Sequence, residues 1–143
     1  IGRSSSYDDS RGEFFIDPES EDRFILPREE LRYSGPVAVL VGPACSSACE
    51  LFSYNMTQED RAAIVGQYPT GGLSGGQEAF LMPEGIQLQF SVNRPLNAEN
   101  EIIIEGTGVV PTVDVPVTAE TVLTEDDVIL DAAVAHLESV AGS

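Results

Sequence analysis

The stretch Gly35-Pro36-Val37-Ala38-Val39-Leu40-Val41-Gly42-Pro43-Ala44-Cys45-Ser46-Ser47-Ala48-Cys49-Glu50-Leu51-Phe52 holds two periodicities back to back. Residues 37–41 form a continuous apolar, Val-rich run bounded on both sides by Gly-Pro. A short run of this kind reads as a strand covered on both faces, as in parallel sheets under helices. Beyond the second Gly-Pro, Ala48, Leu51, Phe52 and Met56 fall at i, i+3, i+4 and i+8, one face of a helix. Ala62-Ala63-Ile64-Val65-Gly66 reads as a second buried strand, so residues 37–66 spell a βαβ unit.

Working outward, residues 69–76 hold glycines at 71, 72, 75 and 76. This is read as a mobile loop edging a groove; without lysine or a GxGxxG spacing it is a poor phosphate cradle. Residues 78–82 and 86–92 flank Pro83-Glu84-Gly85 as the arms of a hairpin. In the second arm Ile86, Leu88, Phe90 and Val92 alternate with polar residues, which predicts a half-buried strand. Ile102-Ile103-Ile104 and residues 113–117 are further strand candidates. A helix is predicted over residues 125–140, capped by Thr124 with Asp127 three residues on. Its apolar stripe is Ile129, Ala132, Ala133, His136, Leu137 and Val140. Residues 1–34 read as a loop-rich segment in which Phe14-Phe15-Ile16 and Phe24-Ile25-Leu26 are short edge strands. Residues 35–143 carry the body of the domain.

Composition narrows the function. The chain has 143 residues, 42% of them hydrophobic, enough for one globular domain. No apolar run is long enough to span a bilayer as a helix. A net charge of −17 repels phosphate backbones and anionic lipid, so neither nucleic acid nor an acidic membrane surface is an expected partner. All seven basic residues are arginines, which excludes a Ser–Lys dyad, a Schiff base or a P-loop lysine supplied by this chain. Cys45 and Cys49 are too few for a disulfide framework, and with one histidine they make no zinc site. They are expected to be small buried fillers at the helix start. His136, on the apolar stripe, is expected to be a packing or surface residue. The chain begins at Ile1, and the reading is that it is a piece of a longer polypeptide.

The chemistry concentrates at the strand–helix junction. A serine there sits among outward-pointing N–H groups at the positive end of a helix dipole. Both favour negative charge developing on a substrate oxyanion, as acyl transfer requires. The same residues also fit a capping box, Ser47 accepting from the Glu50 N–H while Glu50 returns to the Ser47 N–H. Spacing alone leaves cap and nucleophile both open.

Taken in order, these segments resemble the C-terminal processing peptidases, or tail-specific proteases. The likeness rests on the strand Gly35-Pro36-Val37, on Ser46-Ser47-Ala48-Cys49-Glu50 opening a helix, and on Arg61-Ala62-Ala63-Ile64-Val65-Gly66 followed by Pro69-Thr70-Gly71-Gly72. Met82-Pro83-Glu84-Gly85 resembles the family's LPDG turn, and Glu105-Gly106-Thr107-Gly108-Val109-Val110-Pro111 its EG-x-GV-x-P segment. The resemblance covers about residues 35–140. It implies an α/β domain of the ClpP/crotonase-like type, present here as its C-terminal portion, and a serine endopeptidase acting on polypeptides without metal or organic cofactor. Carried over by motif, the nucleophile falls on Ser47 and one oxyanion donor on the Ala48 N–H. Glu50 is assigned no role beyond capping.

Departures from the pattern point to one branch. The bacterial processing enzymes use a lysine base in the loop aligned with residues 69–72, and this chain has none. The tricorn-like branch uses a histidine oriented by a second serine and a glutamate. That glutamate falls on Glu105, while the histidine and second serine lie upstream of residue 1. The upstream half of the same domain is therefore an expected partner, as is a polypeptide substrate. Self-association and an origin in self-processing are both compatible with the chain. Export is the compartment toward which the resemblance leans. Two rivals remain: a non-proteolytic ligand-binding relative, as in the repeats of interphotoreceptor retinoid-binding protein, and a crotonase-type acyl-CoA enzyme. The absence of lysines for CoA phosphates weighs against the second.

Overall fold

The computed structural model describes residues 3–19, 28–73 and 75–142. Its centre is a three-stranded parallel sheet in the order β3 (Ala38–Leu40), β4 (Ala63–Gly66), β8 (Val113–Asp114). Ala38 pairs with Ala63, Val39 with Ile64 and Leu40 with Val65; Val65 pairs with Val113 on the far side. Helix α1 (Ala48–Thr57) makes the crossover from β3 to β4, so the predicted βαβ unit is present.

β4 shows why this sheet needs two covers. Ile64 and Val65 are both fully buried and point to opposite faces. Ile64 joins Val41, Ile104 and Val109, covered by Leu51, Tyr54 and Met56 of α1. Val65 joins Val115 and Ala133, covered by Val128, Ile129 and Ala132 of α3 (Val128–Ala141). The result is helix, sheet and helix, an α/β arrangement in which each buried aliphatic side chain contributes about 1.5–3 kcal/mol. Arg61 fixes the entry to β4, donating to the carbonyls of Gly35 (3.2 Å) and Tyr33 (2.7 Å).

Several expectations change in three dimensions. β3 is an edge strand of the described sheet, and Leu40 is exposed rather than covered. The buried face of α1 centres on Glu50 and Ser53, whereas Phe52 is exposed. The C-terminal helix starts later than predicted, at Val128, with Asp127 as its cap accepting from the Leu130 N–H. A short helix α2 (Ala119–Leu123), capped by Thr118, precedes it. Ile102 makes only an isolated bridge to Leu96, and Ile104 turns away at φ 67°, so residues 102–104 are not a strand.

A second sheet orders β2 (Glu13–Phe15), β1 (Ser4–Asp8) and β7 (Asn93–Pro95), all antiparallel. Tyr7 opposes Phe14 in register with ring centroids 5.3 Å apart, and the Arg94 guanidinium lies 3.7 Å over Phe14. Such aromatic and cation–π pairs hold a sheet whose composition is largely polar. Phe14-Phe15 thus sits on an edge strand as read; Phe24-Ile25-Leu26 lies outside the described residues. The hairpin β5 (Gln77–Leu81) and β6 (Gln87–Ser91) forms as predicted, with Phe80 opposite Leu88. The alternating residues Ile86, Leu88 and Phe90 are exposed in it, not half-buried. Among the described residues, no helix is long and apolar enough to cross a membrane.

Candidate active site

Ser47 occupies the turn between β3 and α1 with φ 55° and ψ −115°. An L-residue with a side chain avoids this region at a cost of about 1–3 kcal/mol, so the surroundings must hold it there. Two contacts do so directly. The Ser47 N–H donates to the Leu73 carbonyl (2.9 Å) and to Glu50 Oε2 (3.1 Å). The Ser47 carbonyl in turn accepts from the N–H groups of Glu50 and Leu51, each at 3.0 Å. The Glu50 half of the expected capping box is present, its carboxylate accepting from the Ser47 N–H, while the Ser47 hydroxyl makes no cap hydrogen bond; the sharp turn leaves Ser47 and Ala48 exposed on the outside of the junction. The Ala48 N–H, at the first helical position, has no partner within the helix.

Glu50 does far more than cap. It is fully buried, and its carboxylate accepts four hydrogen bonds. Oε1 takes the Thr70 hydroxyl and the Gly72 N–H, both at 2.6 Å; Oε2 takes the Leu73 N–H at 2.9 Å as well as that of Ser47. A buried carboxylate is tolerable only with such compensation, and each charge-assisted bond is stronger than a neutral one. Residues 70–73 of the glycine-rich loop are therefore tied to α1 through Glu50. The loop's amide cradle is filled by an internal carboxylate of α1 where a phosphate cradle would hold a ligand.

The same loop reaches Glu105. Thr70 Oγ1 accepts from the Val109 N–H (2.7 Å), and the Val109 carbonyl accepts from the Thr70 N–H (3.1 Å). Gly108, at φ 70°, lets its backbone lie against the Thr70 carbonyl; a Cβ there would collide with it. Gly106 N–H donates to the Gly72 carbonyl (2.9 Å), and Glu105 Oε2 accepts from the Gly75 N–H (2.9 Å). Ser47 and Glu105 are thus tied to one loop, the first at Leu73 and the second at Gly75. Glu105 is half-buried there.

Cys45 and Cys49 correct the reading most directly. They are joined by a disulfide with Cα atoms 5.5 Å apart, Cys45 half-buried and Cys49 exposed, so they are not buried fillers. Cys45 lies in the turn before the helix, its N–H bonded to the Gly42 carbonyl (3.0 Å), which brings it over the first helical turn at bridging distance. His136 is half-buried on α3 and lines an open cleft with Tyr33, Pro36, Glu59 and Arg61. The glutamate cage and the disulfide were missed because each joins residues across a turn or a loop. The pairing of a capping Glu50 with Thr70-Gly71-Gly72 was the available signal for the first.

With this geometry in view, the sequence shows the family, and the likeness to solved structures concerns the fold. The model of peptidase family S41 matches residues 3–115, and the chain belongs to that family. The match includes β1 and β2, beyond the segments that carried the resemblance. Among solved structures, the chain is similar to a putative peptidase from Parabacteroides merdae, with a TM-score of 0.74 and 24% identity over 96% of this chain. It is also similar to mature CPAF complexed with lactacystin, with a TM-score of 0.56 and 26% identity over 80% of this chain. A serine-to-alanine mutant of CPAF gives 0.55 and 26% over 80%. This chain spans 42% of the Parabacteroides merdae chain and 21% of CPAF in its lactacystin complex. No curated protein matches the sequence.

Proposed function

We propose that this chain carries the nucleophile-bearing portion of a serine endopeptidase of the tricorn-like type. Ser47 Oγ attacks the scissile carbonyl carbon of a polypeptide, and its proton passes to a histidine supplied from outside residues 1–143. The Ala48 N–H donates to the oxyanion as it forms. Collapse of the tetrahedral intermediate expels the amine, which takes the proton from the histidine; water then releases the acyl group by the reverse sequence. Glu105 orients the serine–histidine relay from the far end of the loop that holds Ser47.

One observation carries this reading: the exposed Ser47 at φ 55°, ψ −115°, with its own N–H turned inward to Glu50 and Leu73. A serine serving only as a cap needs no such backbone, since caps ordinarily adopt extended φ and ψ. The absence of lysine from the chain supports a histidine base over a lysine base. The test is fluorophosphonate labelling of the intact protein with mass mapping of the modified peptide. Label on Ser47, lost in Ser47→Ala together with hydrolysis of an unfolded polypeptide, is the expected result. A folded intact protein that takes no label at Ser47 would overturn it in favour of a ligand-binding relative.

A further inference from the structure

We propose that the Cys45–Cys49 disulfide is a positioning element for Ser47, a covalent bracket that keeps the nucleophile's turn in its reactive shape. The inference rests on the nucleophile reading and extends it. The bond closes a small ring with a sequence separation of 4, and Ser47 stands at its centre between Ser46 and Ala48. Ser47 is held at φ 55° from the inside by Glu50 and Leu73; the disulfide lies on the outer, exposed side of the same turn.

Both half-cystines are themselves anchored. The Cys45 carbonyl accepts from the Gly71 N–H (2.8 Å), and the Cys49 carbonyl accepts from the Ser53 hydroxyl (2.8 Å). The bracket therefore links the glycine-rich loop, on one side of the nucleophile, to the buried face of α1 on the other. Neither cysteine belongs to the hydrophobic clusters about Ile64 and Val65. Opening the bond thus frees the residue before Ser47 and the first turn of α1 while leaving the sheet and its helix covers in place. The groups set free to move include the Ser47 hydroxyl and the Ala48 N–H, whose placement governs attack and oxyanion stabilisation. Cys49 is exposed, so a reductant can reach the bond.

The test compares the intact protein before and after treatment with a water-soluble phosphine. The phosphine gives two electrons to the S–S bond and becomes the phosphine oxide, taking its oxygen from water, while two protons complete the thiols. Reduction is expected to slow phosphonylation of Ser47 and to lower kcat by about tenfold or more, with KM within about twofold, as misplacement of a reacting group does. The double variant C45A/C49A should be equally slow with or without phosphine, and reoxidation should restore only the natural protein. The wild-type reduction decides the matter even if that variant folds poorly. A thiol count showing full reduction with the labelling rate unchanged overturns the proposal and leaves the nucleophile reading intact. A rise in KM at constant kcat also overturns it, placing the bond in substrate binding. No label on Ser47 in the oxidised protein overturns the nucleophile reading, and this proposal with it.

Discussion

The junction that carries Ser47 and the hairpin β5–β6 both contain apolar strand sequence and end in opposite states. At the junction, Ile64, Val65 and Glu50 are fully buried, and every strand of the parallel sheet meets a helix or a neighbour. In the hairpin, Leu81 is 80% exposed and Phe90 54% exposed, although their pairing is complete along both arms. Backbone pairing alone does not bury side chains; a second layer does. The lesson is that stability and precision reside where loop 69–73 and α1 lock together. The hairpin presents an apolar surface instead.

The comparison breaks or sharpens under substitution in the intact protein. Glu50→Ala should do the most damage, because it strands the hydroxyl of Thr70 and the amides of Gly72 and Leu73 and takes one of two acceptors from the Ser47 N–H. With about 1–3 kcal/mol for each buried unsatisfied group, a loss of about 4 kcal/mol or more is expected in chemical denaturation. Stability within about 1 kcal/mol of the natural protein would show that the cage is dispensable. Ile64→Ala should follow, costing about 3 kcal/mol through lost transfer energy and a residual cavity. Leu81→Ala, the same kind of truncation in the hairpin, should cost under about 0.5 kcal/mol. Were it to cost about 2 kcal/mol instead, this face of the hairpin would be covered in the intact protein, and the contrast would belong to the isolated chain.

The smallest effect lies on β1. The Ser10 hydroxyl (2.6 Å) chiefly holds the half-buried Asp8 carboxyl below the ordinary carboxylate value, with help from the Ser10 N–H (2.9 Å) and Arg11 (3.3 Å). A folded pKa below the unfolded one contributes stability that is present above the unfolded value and is lost as pH falls through the folded one. Ser10→Ala should therefore raise the Asp8 titration midpoint, read by NMR on the side-chain carboxyl. An unmoved midpoint would transfer the effect to Arg11 and the backbone.

Much of the βαβ unit was legible because its signals are local. Gly-Pro on both sides of residues 37–41, helical spacing from Ala48 and the apolar run before Gly66 each depend on neighbours a few residues away. The antiparallel sheet was not legible in the same way. Ser4-Ser5-Ser6 looks like solvated loop, yet Ser5 is only 5% exposed, in the middle strand opposite Arg94. Its burial comes from a partner some ninety residues along the chain, which no periodicity in residues 4–8 encodes. Ile102-Ile103-Ile104 failed in the other direction. Three β-branched residues favour a strand, but Ile104 turns at φ 67° to enter the core beside Ile64 and Val109. Burial outweighed local preference.

The candidate site divides along the same line. By itself the sequence determined the order of motifs, the absence of lysine from these 143 residues, and the placement of Ser47 at a strand–helix junction with Glu50 three residues on. Only the tertiary structure decided what those residues do to one another. It buried Glu50 among four donors, tied Glu105 to the loop that holds Ser47, and joined Cys45 to Cys49 across Ser47. Periodicity records which face of one element is apolar. A buried carboxylate and a cross-linked turn depend on how far other segments of the chain approach, and that distance is set by packing.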